Sequence, residues 1–269
     1  MTPEIQWQVA GSAPENYEEY LVPVIFGPWG HDLLDVAALR PGEHLLDVAC
    51  GTGIVARLAA EKVGPTGKVV GVDINPGMLA AARKISAPAA IDWREGNVTA
   101  LPLPDATFSV AICQQGLQFF PDRAAALREM HRVLMPRARL VVSCWKGIQH
   151  SPGFGALAEA LVKHAGPDAA AIARGPFALG DEGELRSLIE SAGFKDVTIR
   201  HRVKTLGFPS GEEFVRRYGT SSPLAGILTK MTADALAALV RDVSASLTSY
   251  VGAKGLEFPI EAHLVLAYK

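Results

Sequence analysis

The chain has 269 residues, 49% of them hydrophobic, and a formal net charge of −2. That suits one α/β domain with an elaboration, or two small domains, and excludes disorder as the main state. The absence of Lys/Arg runs argues against a nucleic-acid partner. No uncharged apolar run nears the ~20 residues that span a bilayer, and Met1-Thr2-Pro3-Glu4 has no signal-peptide pattern. A cytoplasmic protein with a small-molecule partner, monomeric or homodimeric, is the expectation.

Residues 1–30 carry Trp7, Tyr17, Tyr20, Phe26 and Trp29 among Pro and Gly breaks. They read as a short helix near Glu15–Leu21 within an irregular cover segment. A helix over His31–Leu39 ends at Arg40-Pro41-Gly42. Leu45–Ala49 reads as a buried strand, followed by a glycine turn and a helix with apolar residues at Ile54, Val55, Leu58 and Ala59. Lys68–Asp73 is a second strand, and Pro76 opens a helix at a position where its missing N–H costs nothing. Ile91–Glu95 and Phe108–Cys113 are the third and fourth strands. A helix from Pro121-Asp122 runs through Leu127, Met130 and Leu134 to Pro136, and Leu140–Trp145 is a fifth strand. Strand–helix alternation with short links predicts a parallel sheet covered on both faces.

Regularity breaks at Gly147. One apolar helix, Phe154–Lys163, precedes a loop of Gly, Pro and Ala. Asp181-x-x-Glu184 resembles a capping box for a helix ending at Gly193. Phe194–Arg200 is a sixth strand, and Ser210-x-x-Glu213 caps another helix. A longer helix aligns Leu236, Leu239, Val240, Val243, Leu247, Tyr250 and Val251, and Ile260–Leu266 is the last strand.

The chemistry is centred on Asp47-Val48-Ala49-Cys50-Gly51-Thr52-Gly53. Gly51 and Gly53 permit a tight turn and let a ligand approach without meeting a Cβ. The unpaired N–H groups of the following helix attract an anion. Gly51-Thr52-Gly53-Ile54-Val55-Ala56 also satisfies G-x-G-x-x-A, and Asp73 stands where a dinucleotide fold places its ribose acid. An NAD(P)-dependent oxidoreductase is therefore one reading. Against it, Asp47 lies inside the strand, Ile74 and Met78 provide an apolar wall for an adenine, and Gly96-Asn97-Val98 offers an amide oxygen for an exocyclic amine.

The ordered set Leu45–Gly53, Val70–Asp73 with Met78, Glu95–Val98, Leu101–Phe108, Gln114–Phe120 and Arg128–Pro136 resembles the class I S-adenosylmethionine-dependent methyltransferases. The resemblance is strongest to the ubiquinone/menaquinone-biosynthesis C-methyltransferase group, and it is tight over 31–146 and loose elsewhere. Ala49 stands where many members have glycine, Ser109 where an Asp is frequent, and Asn97 where Asp is frequent. The resemblance implies a Rossmann-like, seven-stranded, mostly parallel sheet with an antiparallel last strand, and S-adenosylmethionine as cofactor with S-adenosylhomocysteine as product. It implies cofactor contacts at Asp47, Ala49, Cys50, Gly51, Gly53, Asp73, Ile74, Met78, Asn97, Val98, Gln114, Gln115 and Leu117. The fold could also serve non-methylating chemistry with the same cofactor.

Simpler roles compete at several positions: Asp73 as a helix cap, Asn97 as a turn residue, Met78 as core. Tyr250-x-x-x-Lys254 imitates a dehydrogenase pair but lies too late in the chain. His31 and His150 are the candidate bases, and His263 reads as structural. Cys50, Cys113 and Cys144 read as small core residues. No Asp/Glu/His cluster at the strand ends has hard-cation spacing, so no metal is expected. The reading divides the chain into a cover (1–30), a cofactor core (31–146, completed by 181–204 and 259–269) and a helical lid built from insertions (147–180 and 205–258). Tyr20, Phe26, Trp29, Phe119, Phe154, Phe177, Phe214 and Tyr218 are the expected walls of an apolar acceptor pocket.

Overall fold

The computed structural model describes residues 11–86 and 90–269; Trp7 and the first third of the expected cover segment lie outside them. The frame is a sheet of β1 (His44–Val48), β2 (Lys68–Asp73), β3 (Ile91–Glu95), β4 (Phe108–Gln114), β5 (Leu134–Trp145), β6 (Lys195–Phe208) and β8 (Gly255–Tyr268). Their order is β3-β2-β1-β4-β5-β8-β6, with the two-residue β7 (Val251–Gly252) added on β8. The pairs among β1 to β5 are parallel, and β8 runs antiparallel to both β5 and β6.

Side-chain alternation sorts the core into two layers. Leu45, Val69, Val110, Ile112 and Val141 face one layer, and Leu46, Val70, Ala111, Cys113 and Val142 face the other. Helices α2 (Gly27–Ala37) and α3 (Ile54–Val63) cover the first, and α5 (Arg123–Val133) and α8 (Glu182–Ser191) the second. Burial on both faces explains the unbroken apolar runs of these strands.

Within the described residues, the cover segment from Ala13 on is helical rather than irregular. α1 (Ala13–Asn16) runs into a π-type stretch, Tyr17–Phe26, and on into α2. Pro23 and Pro28, which read as breaks, are both accommodated. The wider π turn takes in Pro23, and Pro28 falls in the first turn of α2, where no N–H is needed. The region expected as a Gly/Pro/Ala loop after α6 (Pro152–Ala165) holds α7 (Pro167–Arg174). Pro167 starts that helix, and Ala169, Ala170 and Ala173 bury one face.

Other boundaries shift for tertiary reasons. Helix α5 stops at Val133, and Leu134 with Pro136 already belongs to β5. Helix α11 (Ala233–Ser246) ends before Tyr250, which lies in a separate tight turn, Thr248–Tyr250, ahead of β7. The capping predictions are met: Asp181 Oδ1 accepts from Glu184 N and Ser210 Oγ from Glu213 N, at 2.8 and 3.1 Å. The sixth and last strands are much longer than their patterns. Beyond the end of β5, β6 and β8 continue to pair as far as Phe208↔Leu256, with β7 on the other side of β8 at its start. On this arm Phe208 and Phe258 meet Phe214 of α9 (Gly211–Thr220), and Phe154 packs against Phe214 and Phe258.

Candidate active site

The carboxyl ends of β1, β2 and β4 open onto one cavity of about 210 Å³, closed from above by the cover helix and the segments around Phe154, Phe177 and Tyr218. Its wall includes Ala49, Gly51, Asp73, Ile74, Met78, Asn97, Val98, Gln114 and Gln115 of the expected cofactor set. From the expected acceptor set it takes Phe26, Phe119, Phe154, Phe177 and Tyr218.

The cradle is fixed by backbone geometry. Ala49, Gly51 and Gly53 all have positive φ (54°, 54° and 84°), which turns the chain sharply from β1 into α3. A Cβ on Gly51 would meet nothing nearer than the Tyr17 ring at 4.0 Å, so this glycine leaves open space toward the cavity. Gly53 differs. A Cβ there would collide with the Trp93 indole, as would one on Gly71. Gly53 makes room for a protein side chain rather than a ligand, and it does not line the cavity.

The two aspartates have separate surroundings. Asp73 Oδ2 accepts from Gly51 N and Oδ1 from Asn75 N, each at 2.8 Å. Burial raises its pKa, opposed by the N–H groups of Asn75, Gly51 and Ile74. It does not cap the next helix; Asn75 does, accepting from Gly77 N and Met78 N. Asp47 is 1% exposed and lies outside the cavity wall. Its Oδ2 accepts from Ala56 N at 2.9 Å, holding the start of α3 against β1. Burial pushes its carboxyl up to about 8, with the Ala56 N–H and Arg57 opposing and Asp73 reinforcing.

Several other expected contacts have different places. Cys50 is buried and its thiol pKa is raised well above normal by burial, as is that of Cys144; Cys113 is pushed up to about 12 by the same cause. All three are free and outside the cavity wall. Leu117 is fully buried in the second core layer. Asn97 reaches the wall, but its Oδ1 accepts from Thr99 N and Thr99 Oγ1 at 3.0 and 2.9 Å, an Asx turn rather than a free acceptor. The link it begins is pinned by Arg132, which donates to Leu101 O and Leu103 O while Glu129 accepts from Leu101 N.

Gln114 and Gln115 have different jobs. Gln114 Nε2 donates to Phe26 O at 2.8 Å, tying β4 to the cover helix. Gln115 has positive φ (54°), donates to Ser143 Oγ and accepts from Gln118 Nε2. A second tie joins cover and cradle: Arg57 donates to Thr52 O and to Glu18 Oε1. The cover helix thereby brings Tyr17 over Gly51, stacked on Phe26 at 4.7 Å.

The cavity takes some of the expected acceptor walls and lacks others. Trp29 is fully buried, edge-on to Trp145 at 5.4 Å. Tyr20 holds the guanidinium groups of Arg216 and Arg217 at 5.1 and 5.5 Å, away from the cavity. Phe214 is fully buried in the first core layer. Tyr17, Leu21, Ile25, Trp145 and Pro176 also line the cavity without having been expected there. The Tyr218 hydroxyl is buried with no hydrogen-bond partner among the described residues, and burial raises its pKa. Neither His31 nor His150 reaches the wall; His31 is exposed, and His150 Nδ1 lies 3.5 Å from Glu261. Among the described residues the titratable groups of the wall are Tyr17, Asp73 and Tyr218.

A Rossmann-like sheet thus carries a glycine cradle and Asp73 on one largely apolar chamber at the carboxyl ends of its strands. Residues 46–142 match the family model described as a methyltransferase domain. A 2-phytyl-1,4-naphthoquinone methyltransferase of Synechococcus elongatus is 36% identical over 118 residues, covering 42% of this chain and 51% of its own. A ubiquinone/menaquinone biosynthesis C-methyltransferase of Xanthomonas campestris is 38% identical over 134 residues, covering 47% and 53%. The chain spans about half the length of these relatives. Among solved structures, the phosphoethanolamine N-methyltransferase 2 of Haemonchus contortus with S-adenosyl-L-methionine superposes with a TM-score of 0.61 at 15% identity. It covers 95% of this chain and 56% of that one, a likeness of fold. No helix among the described residues is long and apolar enough to cross a membrane.

Proposed function

We propose that this chain transfers a methyl group from S-adenosylmethionine to a small, largely apolar, ring-containing acceptor and releases S-adenosylhomocysteine. The observation that carries the reading is one cavity joining the Gly51/Asp73 cradle to a chamber walled by Phe26, Phe119, Phe154 and Phe177. The residues present fit the cofactor. Gly51 leaves the space a Cβ would fill. The Asp73 carboxylate takes backbone N–H groups of the cradle and the following turn, and its remaining lone pairs would suit ribose hydroxyls. Ile74 and Met78 would flank the base, while the stacked Tyr17 and Phe26 rings offer their π faces to a sulfonium.

Bound S-adenosylmethionine supplies an activated methyl group. The chain supplies alignment and a dry chamber. With no His or Lys in the described wall, the acceptor enters ionised or loses its proton to water, and Tyr218 serves as a hydroxyl donor toward an acceptor oxygen. The relatives' names support an acceptor of the quinol kind.

The test is calorimetry with S-adenosylhomocysteine and with NAD, then incubation with methyl-labelled S-adenosylmethionine and 1,4-dihydroxynaphthalene or an apolar metabolite extract. Binding of S-adenosylhomocysteine with label in a ring compound is expected. NAD binding without a response to S-adenosylhomocysteine would overturn the reading in favour of an oxidoreductase. Cofactor binding with no label transferred to any pool would favour non-methylating chemistry.

A further inference from the structure

Away from the cavity, the sheet brings two histidines and a glutamate together. His201 of β6 stands directly opposite His263 of β8 in antiparallel register, with ring centroids 4.9 Å apart. Directly paired residues share a face of the sheet. Glu182, the first residue of α8, reaches the same spot: its Oε2 lies 2.7 Å from His201 Nε2. One ligand-type atom from each of the three lies within 4.8 Å of the others.

The protonation pattern of His263 is set by its neighbour. Its Nε2 lies 2.8 Å from Gly180 O. A carbonyl can only accept, so Nε2 carries the proton and Nδ1 carries the lone pair. The residue is 1% exposed, and Nδ1 has no hydrogen-bond partner among the described residues. A buried lone pair facing no donor is an energetic cost that the fold maintains. It is also the arrangement of a metal-ligating imidazole, one nitrogen on the metal and the other donating to a backbone carbonyl.

We propose that Glu182, His201 and His263 form a zinc site, with one carboxylate oxygen and one nitrogen from each imidazole as protein ligands and water completing the shell. Two imidazoles and a carboxylate suit Zn²⁺ and its neighbours Co²⁺ and Ni²⁺, not the all-oxygen shells of Mg²⁺ or Ca²⁺. Metal–ligand bonds of about 2.0–2.2 Å require the three donors to draw closer than they stand. Two of them can move: the side chains of His201 and Glu182 are 47% and 41% exposed. Arg186 lies 3.6 Å from Glu182 Oε1, leaving Oε2 for the metal. Binding would replace the His201–Glu182 hydrogen bond and give Nδ1 of His263 its missing partner. Through Gly180 it would also brace the segment that carries Phe177 into the cavity wall. The site has no motif because its ligands come from three separate elements.

The test uses the full chain, stripped with a chelator and then titrated with Zn²⁺ against a chromophoric competitor, with Co²⁺ as a spectroscopic probe. One zinc ion per chain is expected, with a visible Co²⁺ band and a rise in melting temperature on zinc addition. Glu182→Gln and His201→Ala, both at exposed side chains, should each weaken zinc binding at least about tenfold and remove the thermal shift. His263→Ala serves as a third variant where it folds. Failure of the wild-type chain to take up zinc at micromolar concentration, or unchanged affinity in both exposed variants, would overturn the proposal.

Discussion

The two ends of the cavity are built in opposite ways. The cofactor end is made by turns that follow directly on β1, β2 and β4, held by backbone N–H groups and positive-φ residues within a few positions of one another. The acceptor end is assembled from the cover helix, the turn after β4, Trp145, Phe154, Pro176 with Phe177, and Tyr218. The first presents fixed polar geometry. The second encloses with aromatic area and one unpaired hydroxyl. A substitution at one end should therefore change one binding event and leave the other alone.

The largest expected effect lies within the cradle itself. Gly53→Ala forces a Cβ against Trp93 at φ 84° and should cost about 2–5 kcal/mol of stability, from left-handed backbone strain plus overpacking. Denaturant unfolding measures this, and adding Trp93→Leu should recover the packing part. Gly51→Ala shares the strain without the collision, so it should lose less stability but more cofactor affinity. If the two variants behave alike, the division between a packing glycine and a ligand glycine is wrong.

Asp73→Ala should weaken S-adenosylhomocysteine binding about 10- to 100-fold, the worth of charge-assisted hydrogen bonds of about 1.5–3 kcal/mol. Calorimetry on the folded variant decides it, and unchanged affinity would reduce Asp73 to a brace for Gly51 and Asn75. Tyr218→Phe makes the reciprocal case. Cofactor affinity should stay constant while KM for a ring acceptor bearing oxygen rises about 2- to 10-fold, the range of one neutral hydrogen bond. A change in cofactor binding would show the two ends to be coupled.

A pH-dependent effect concerns Asp47. Its native carboxyl titrates near 8 against an unfolded value of 3.8, so the folded state holds an extra proton between those values. The stability it contributes is therefore fully present below about pH 4 and is lost as pH rises toward 8. Asp47→Asn stays neutral and retains an acceptor for Ala56 N, so the melting temperature should fall less between pH 5 and 8 than in the wild type. An identical pH slope would show that Asp47 is ionised in the native state.

The sequence by itself determined the alternating α/β core, the cradle and the Asp181 and Ser210 caps. These follow from local periodicity, turn chemistry and short spacings, which act whatever the rest of the chain does. It also pointed to Asp73, Ile74 and Met78 beside the cradle, because a βα turn places its own neighbours. Tertiary structure decided the remainder. Gly53 and Trp93 lie on different strand–helix units, and only the folded sheet presses the indole into the space that glycine leaves. Pro23 reads as a break in any local view, yet a π turn packed over the cradle accommodates it and carries Tyr17 to Gly51. Tyr20, Trp29 and Phe214 carry the same apolar signal as Phe26, Phe154 and Phe177. Which aromatic becomes core and which becomes wall depends on how the distant segments dock, and that information lies in packing rather than in any stretch of sequence.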